Sequence, residues 1–279
     1  MSATRAALVL LLSCQTASAG TWVTQSPESA FTYRGKPVDP RCVGALMPME
    51  RGLPKSADLS RCTGPGKATR DGNDFWIEEP DPDAIMGTPF DSYEVLARNG
   101  SRFIVSMLSS GGGSGRFSSI VLVRREGDTL NAERFFTEIG DRCNGGIAGA
   151  HVSGNRLFWS VNVTPYDVLQ ASGAGLASGA SGLEYGAQSC VATLDSEYNL
   201  VTGKMRLVSE TLTLSYFGGT EESRSGLLSD QEGWTEQFKH QHCFNTYYNS
   251  YVSKGHTRLS PTEMKAFGQG LVLACLRTP

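Results

Sequence analysis

The sequence is short of charge, short of histidine and, past its first 19 residues, without any long apolar run. Charged residues make up 19% of the 279, with 25 Lys and Arg against 28 Asp and Glu. A mildly acidic chain lacks the basic footprint with which nucleic-acid binders neutralise phosphates, which argues against a nucleic-acid partner. Beyond the first 19 residues nothing approaches the roughly 20 apolar residues that a helix needs to cross a bilayer core, so no transmembrane span is expected. The four histidines are His151, His240, His242 and His256, and none stands in a nucleophile-plus-acid pattern. The Gly-x-Ser-x-Gly nucleophile elbow is missing. So is the Cys-Gly-Ser-Cys-Trp pattern of papain-like thiol proteases, although Cys143-Asn144-Gly145-Gly146 shares a fragment with them. No repeat of solenoid or propeller length is present.

What the chain does have is a leader and an even set of cysteines. Arg5, an apolar run over residues 6–12 and Ala17-Ser18-Ala19 before Gly20 read as a secretory signal peptide, residues 1–19, too short to span a membrane. A second reading takes Leu11-Leu12-Ser13-Cys14 as a lipoprotein processing box, with Cys14 acylated as a lipid anchor. Removing the leader takes one Arg, so 24 basic residues face 28 acidic ones and the formal charge moves from -3 to -4. Of seven cysteines, six then remain: Cys42, Cys62, Cys143, Cys190, Cys243 and Cys275. An even number in an exported chain points to disulfides, and pairing of sequence neighbours gives Cys42–Cys62, Cys143–Cys190 and Cys243–Cys275.

Fold class follows from periodicity and turn chemistry. Residues 93–163 are strand-like segments parted by Asn99-Gly100, the glycines at 111–115, Gly127-Asp128 and Gly154-Asn155. Leu157, Trp159, Val161 and Val163 alternate with Phe158, Ser160 and Asn162, whereas Ile120-Val121-Leu122-Val123 is apolar on both faces and suits a covered central strand. Short loops imply antiparallel neighbours, hence an up-and-down sheet. The expected class is α+β and β-dominated: an antiparallel meander sheet or open barrel packed by C-terminal helices. Residues 20–89, with nine prolines, read as an irregular Pro-rich N-terminal arm whose Phe75-Trp76-Ile77 cluster lies across the sheet. Residues 90–279 read as an α+β domain sharing a single core with that arm.

Three helix starts are written out. Thr164-Pro165-Tyr166-Asp167 and Ser260-Pro261-Thr262-Glu263 each combine a hydroxyl cap, Pro at the first position and an acid three residues after the cap. Ser229-Asp230-Gln231-Glu232 is a third capping box, opening a helix expected to run to about residue 253 with an aromatic face that includes Phe244, Tyr247, Tyr248 and Tyr251. The stretch 171–186, dominated by Gly, Ala and Ser, reads as a mobile loop.

Candidate chemistry is sparse. His240-Gln241-His242-Cys243 is the densest set of zinc-type ligands, but on a helix residues two apart point about 200° apart, and Cys243 is needed for the even disulfide count, so no metal site is expected. The glycines at 111–115 lead into a strand rather than a helix, which suits a hairpin loop and not a phosphate cradle. No cofactor is expected. Asp141-Arg142-Cys143-Asn144-Gly145-Gly146 reads first as a tight turn, and secondly as a recognition loop in which Arg142, Asn144 and Asp141 meet an anion or amide. The functional expectation is an exported (periplasmic or secreted) disulfide-stabilised protein, a non-catalytic binding or inhibitor-type module for an envelope or extracellular ligand. The alternative is a secreted hydrolase whose residues, His151, Asp141 and a Ser among them, converge only in three dimensions.

Overall fold

A computed structural model describes residues 21–47, 55–62, 64, 68–78, 87–174, 180–187, 190–212 and 238–276. The expected leader with Cys14 and the expected Ser229 capping box lie outside the described residues.

The Pro-rich stretch carries more regular structure than its composition suggests. A 3-10 turn over Pro27–Ala30 leads into a hairpin of β1 (Thr32–Tyr33) and β2 (Lys36–Pro37). Asp39 caps the short helix α1 (Pro40–Gly44) by accepting from Arg41 N at 3.0 Å. The strands β3 (Ser56–Asp58), β4 (Thr69–Asp71) and β5 (Asp74–Glu78) follow. Phe75-Trp76-Ile77 does not cross the sheet but belongs to it. These residues form the middle of β5, with Phe75 and Ile77 buried and Trp76 stacked on Phe90 at 4.6 Å.

Next come β6 (Phe90–Asn99), β7 (Arg102–Ser110), β8 (Phe117–Glu126) and β9 (Thr129–Phe135), an antiparallel meander. They lie in an eight-stranded sheet of order β3-β9-β8-β7-β6-β5-β4, with β10 (Gly140–Asp141) paired to β8. The hairpins turn on Gly100-Ser101, Gly127-Asp128 and Gly154-Asn155. Only the glycine of each pair has positive φ (60°, 59° and 57°), so it holds the first central position, as a II′ turn requires. Asn99 therefore closes the first turn by pairing with Arg102 and is not part of the loop.

The run 93–163 is not one sheet. The chain leaves the first sheet after β10 and enters a second, five-stranded antiparallel sheet of β11 (Ile147–Ser153), β12 (Arg156–Val163), β13 (Ala192–Asn199), β14 (Met205–Leu212) and β15 (Arg258–Leu259). The fold is thus β-dominated, with antiparallel sheets, one curled into a half-barrel, and C-terminal helical packing. Burial explains the division. In β6–β8, Tyr93, Val95, Phe103, Val105, Met107, Val121 and Val123 face one core together with Phe31, Val38, Val43 and Leu46 from the arm. On the opposite face, Leu96, Ala97, Ile104 and Ile120 pack against Val152, Leu157, Trp159 and Tyr198 of the second sheet. Both faces are apolar, so a second layer must cover the face that the arm leaves open.

Helices close the far end of the second sheet. Thr164 and Ser260 form the expected capping boxes on α2 (Pro165–Ala171) and α4 (Pro261–Leu271), and the chain ends its last helix in a π turn over Val272–Leu276. Between them in sequence lies α3 (Gln241–Val252), and Phe238, Lys239 and His240 form a turn before it, so the expected helix is not continuous through these residues; its expected start lies outside the described residues. Its aromatic face is real: Phe244 and Tyr248 are wholly buried with Phe267, Met264 and Leu271. The Gly/Ala/Ser stretch also departs from expectation where it is described. Ala180 and Leu183 are buried in this core, and a Cβ on Gly182 would lie 2.5 Å from the His240 ring. Small residues here permit close approach rather than motion.

Three disulfides staple the arrangement: Cys42–Cys62, Cys143–Cys190 and Cys243–Cys275, with sequence separations of 20, 47 and 32. By loop-closure entropy each contributes about 3–4 kcal/mol.

Candidate functional site

The nominated turn is the joint between the two sheets. Asp141 N donates to Asn144 O at 3.0 Å and Asn144 N returns to Asp141 O at 2.9 Å, which folds four residues into a closed turn around Arg142 at φ 49°. Asp141 pairs with Phe117 of the first sheet, whereas Gly145 N donates to Asn162 O (2.9 Å) and Asn162 N to Gly146 O (2.8 Å) in the second. A Cβ on Gly140 would lie 1.9 Å from the Gly145 carbonyl carbon, and one on Gly146 would lie 2.3 Å from Arg142 O, so both positions need glycine. Cys143, fully buried, bonds to Cys190 beside β13. Arg142 Nε donates to Asp141 Oδ1 at 3.0 Å, and that same oxygen accepts from Arg116 N at 2.8 Å. The two charges largely neutralise each other within the joint, and Asn144 is the one of the three that is exposed.

A larger concavity lies in the arm. It is a cleft of about 1070 Å³ between the β1–β2 hairpin, the start of α1, the loop after β3, and β4–β5. Tyr33, Leu59 and Phe75 supply its apolar surface, and Glu28, Arg34, Lys36, Asp39 and Arg70 its charge. The Cys42–Cys62 bridge ties two of its walls together. Arg41 holds Asp39 through two bonds of 2.9 and 2.7 Å and reaches Gly64 O at 3.0 Å across the cleft base. Arg70 meets Glu28 at 3.2 Å and lies over the Phe75 ring, while Arg34 lies over the Tyr33 ring. Tyr33 Oη is shut off from solvent with no hydrogen-bond partner among the described residues, an unusual state for a hydroxyl in a cleft wall. The scaffold beneath is firm. Tyr93 donates its hydroxyl to Val38 O at 2.7 Å, and Phe31 packs edge-on against the Tyr93 ring. The stretch reads from its sequence as irregular, and nothing in its spacing says that a hairpin, a short helix and strands of the sheet enclose a cleft there.

A smaller hollow of about 310 Å³ holds His151, Glu94, Glu28, Ser26 and Thr24. Burial raises the Glu94 carboxyl above its usual range, and the Asn73 amide, donating at 3.3 Å, opposes that. Ser26 has left-handed φ of 44°. No hydrogen bond joins the His151, Glu94 and Ser26 side chains, and the His151 ring stacks on Phe158 at 5.0 Å. Asp141, once grouped with His151, is engaged with Arg142 and Arg116 instead.

Two further titratable positions stand out. Cys243 of the His240-Gln241-His242-Cys243 set is bonded to Cys275, and His240 begins α3 with burial lowering its pKa. Glu210 on β14 is completely buried, its cross-strand partners are Leu194 and Leu259, and neither carboxylate oxygen has a hydrogen-bond partner among the described residues. Desolvation pushes its pKa up to about 8, so it carries a proton at neutral pH.

No protein family, curated protein or solved structure matches this chain. The site therefore rests on its own geometry.

Proposed function

We propose that the chain is a non-catalytic binding module of the periplasm or extracellular space, exported by its leader and holding its ligand in the arm cleft. The observation that carries this reading is the cleft itself: a concavity of about 1070 Å³ whose walls are pinned by a disulfide and backed by a packed core. A preformed pocket with an apolar floor and a few polar groups is the usual form of a small-ligand site. Three disulfides are compatible with an oxidising compartment. Acylation at Cys14 in place of cleavage after Ala19 would tether the same module to a membrane, and intact mass of the mature protein separates the two. At the inter-sheet joint, Asn144 is the exposed member of the trio Asp141, Arg142 and Asn144, which supports a second contact point there, while Asp141 and Arg142 pair within the turn.

The test is a thermal-shift screen against cell-wall fragments, sugars and envelope proteins, run on the native chain and on Thr69→Trp, which fills the cleft from exposed β4. Ligands that raise Tm in the native chain only are expected. Ligands that stabilise both proteins equally place binding elsewhere and sink the proposal.

A second reading, a secreted hydrolase, draws on the small hollow, which a histidine, two carboxylates and a left-handed serine line. Turnover of an ester, amide or glycoside panel that is lost in both His151→Ala and Ser26→Gly would favour it over binding. Residual activity in either variant would count against it.

A further inference from the structure

The charges lining the arm cleft are not balanced. Both acids are engaged, Asp39 by Arg41 at 2.7 Å and Glu28 by Arg70 at 3.2 Å, whereas Arg34 and Lys36 have no ionic partner among the described residues. These two cations flank Gly35 at the tip of the β1–β2 hairpin, on a chain whose formal charge is -3. Arg34 is also out of place by local rules. It sits at φ 49°, in a two-residue turn whose first position favours Asn, Asp or Gly. Holding a long side chain in the left-handed region costs about 1 kcal/mol or more, and such outliers concentrate at ligand clamps. Here the guanidinium lies 4.9 Å from the Tyr33 ring centroid, in the cleft wall.

We propose that the arm cleft binds a small organic polyanion, with Arg34 and Lys36 holding its oxyanion groups; this rests on the arm-cleft reading above. The arginine fork offers two parallel N–H donors to a carboxylate or phosphate, and lysine adds a compact charge two residues further along the turn. The cleft is larger than a single inorganic anion requires, and its Tyr33, Leu59 and Phe75 surface suits an organic body.

Isothermal titration of the oxidised mature protein at low salt tests this with four probes: citrate, fructose 1,6-bisphosphate, a hexaglutamate peptide and uncharged maltotriose. Citrate or the sugar bisphosphate binds, and the better of the two tells carboxylate from phosphate. Affinity drops about 10- to 100-fold in Arg34→Gly and in Lys36→Gln, as expected for charge-assisted bonds, and falls as sodium chloride is added. Arg34→Gly relieves the left-handed residue, so its Tm equals or exceeds that of the native chain and loss of binding is not loss of fold. Unchanged affinity in both variants overturns the assignment, as does binding of maltotriose without either anion. In those cases the cleft reading survives if Thr69→Trp abolishes the binding. Binding of hexaglutamate alone replaces a small ligand with an acidic peptide and also overturns the assignment. Silence from all four probes overturns it too, and the cleft reading then falls only if the wider screen is empty as well.

Discussion

Glu210 gives the sharpest stability prediction. Its folded pKa of about 8 lies above the ordinary glutamate value of 4.5 because burial penalises the charged form. The native state therefore binds a proton that the unfolded state releases. Below about pH 4.5 both states are protonated and the site costs nothing for ionisation. Between pH 4.5 and 8 the unfolded chain ionises while Glu210 cannot, so stability falls as pH rises, and above about 8 the loss is complete. At about 1.4 kcal/mol per pKa unit, the interval corresponds to roughly 5 kcal/mol as a ceiling, of which about 3 is already lost at pH 7. Glu210→Gln keeps the shape and removes the titration. Its buried amide costs about 1–3 kcal/mol for lack of partners, so the variant is less stable than the native chain at pH 5 and more stable at pH 8.5. Urea midpoints of the disulfide-intact protein at half-unit steps from pH 5 to 8.5 read this directly. The two proteins share every other titratable group, so the decisive quantity is the difference between them. Parallel pH curves would refute the reasoning, because they would mean that Glu210 finds a partner or water in solution.

The remaining predictions concern the joint and the caps. Gly140→Ala forces a methyl onto the Gly145 carbonyl and loses about 3 kcal/mol or fails to fold, while Gly149→Ala, which meets open space, stays within about 1 kcal/mol; chemical denaturation compares them. Thr164→Ala and Ser260→Ala each remove a hydroxyl from a capping box and lower stability by about 1 kcal/mol in the same assay, with Thr164 the costlier because it is fully buried. Replacing Cys143 and Cys190 together by Ala costs about 2–5 kcal/mol and loosens the turn that joins the sheets, seen as faster amide exchange over residues 141–146.

Much of this fold was legible because local and tertiary preferences agree. The glycine turns, the two-sided apolar run in β8 and the Thr164 and Ser260 boxes each follow from local chemistry that the rest of the chain supports. Pairing of neighbouring cysteines also held, since each pair joins segments already brought close by a turn or a core. Where the reading failed, tertiary contact overrode composition. Gly182 lies against His240, so the described part of the small-residue stretch packs. Phe75 and Ile77 pair with β6 despite surrounding prolines. The break at residues 141–146 was visible as a turn, but not as a change of sheet, because a turn's sequence does not say which strand the chain meets next. The arm cleft was hidden for a related reason: Arg34 and Lys36 look like ordinary hairpin charges until the acids around them are seen to be paired.

Peptide mapping of the protein under non-reducing conditions tests the whole account most directly, because the joint, the cleft wall and the C-terminal helices each hang on one bridge. Crosslinked peptides joining Cys42 to Cys62, Cys143 to Cys190 and Cys243 to Cys275 are expected. Six free thiols, or a different set of partners, would contradict it.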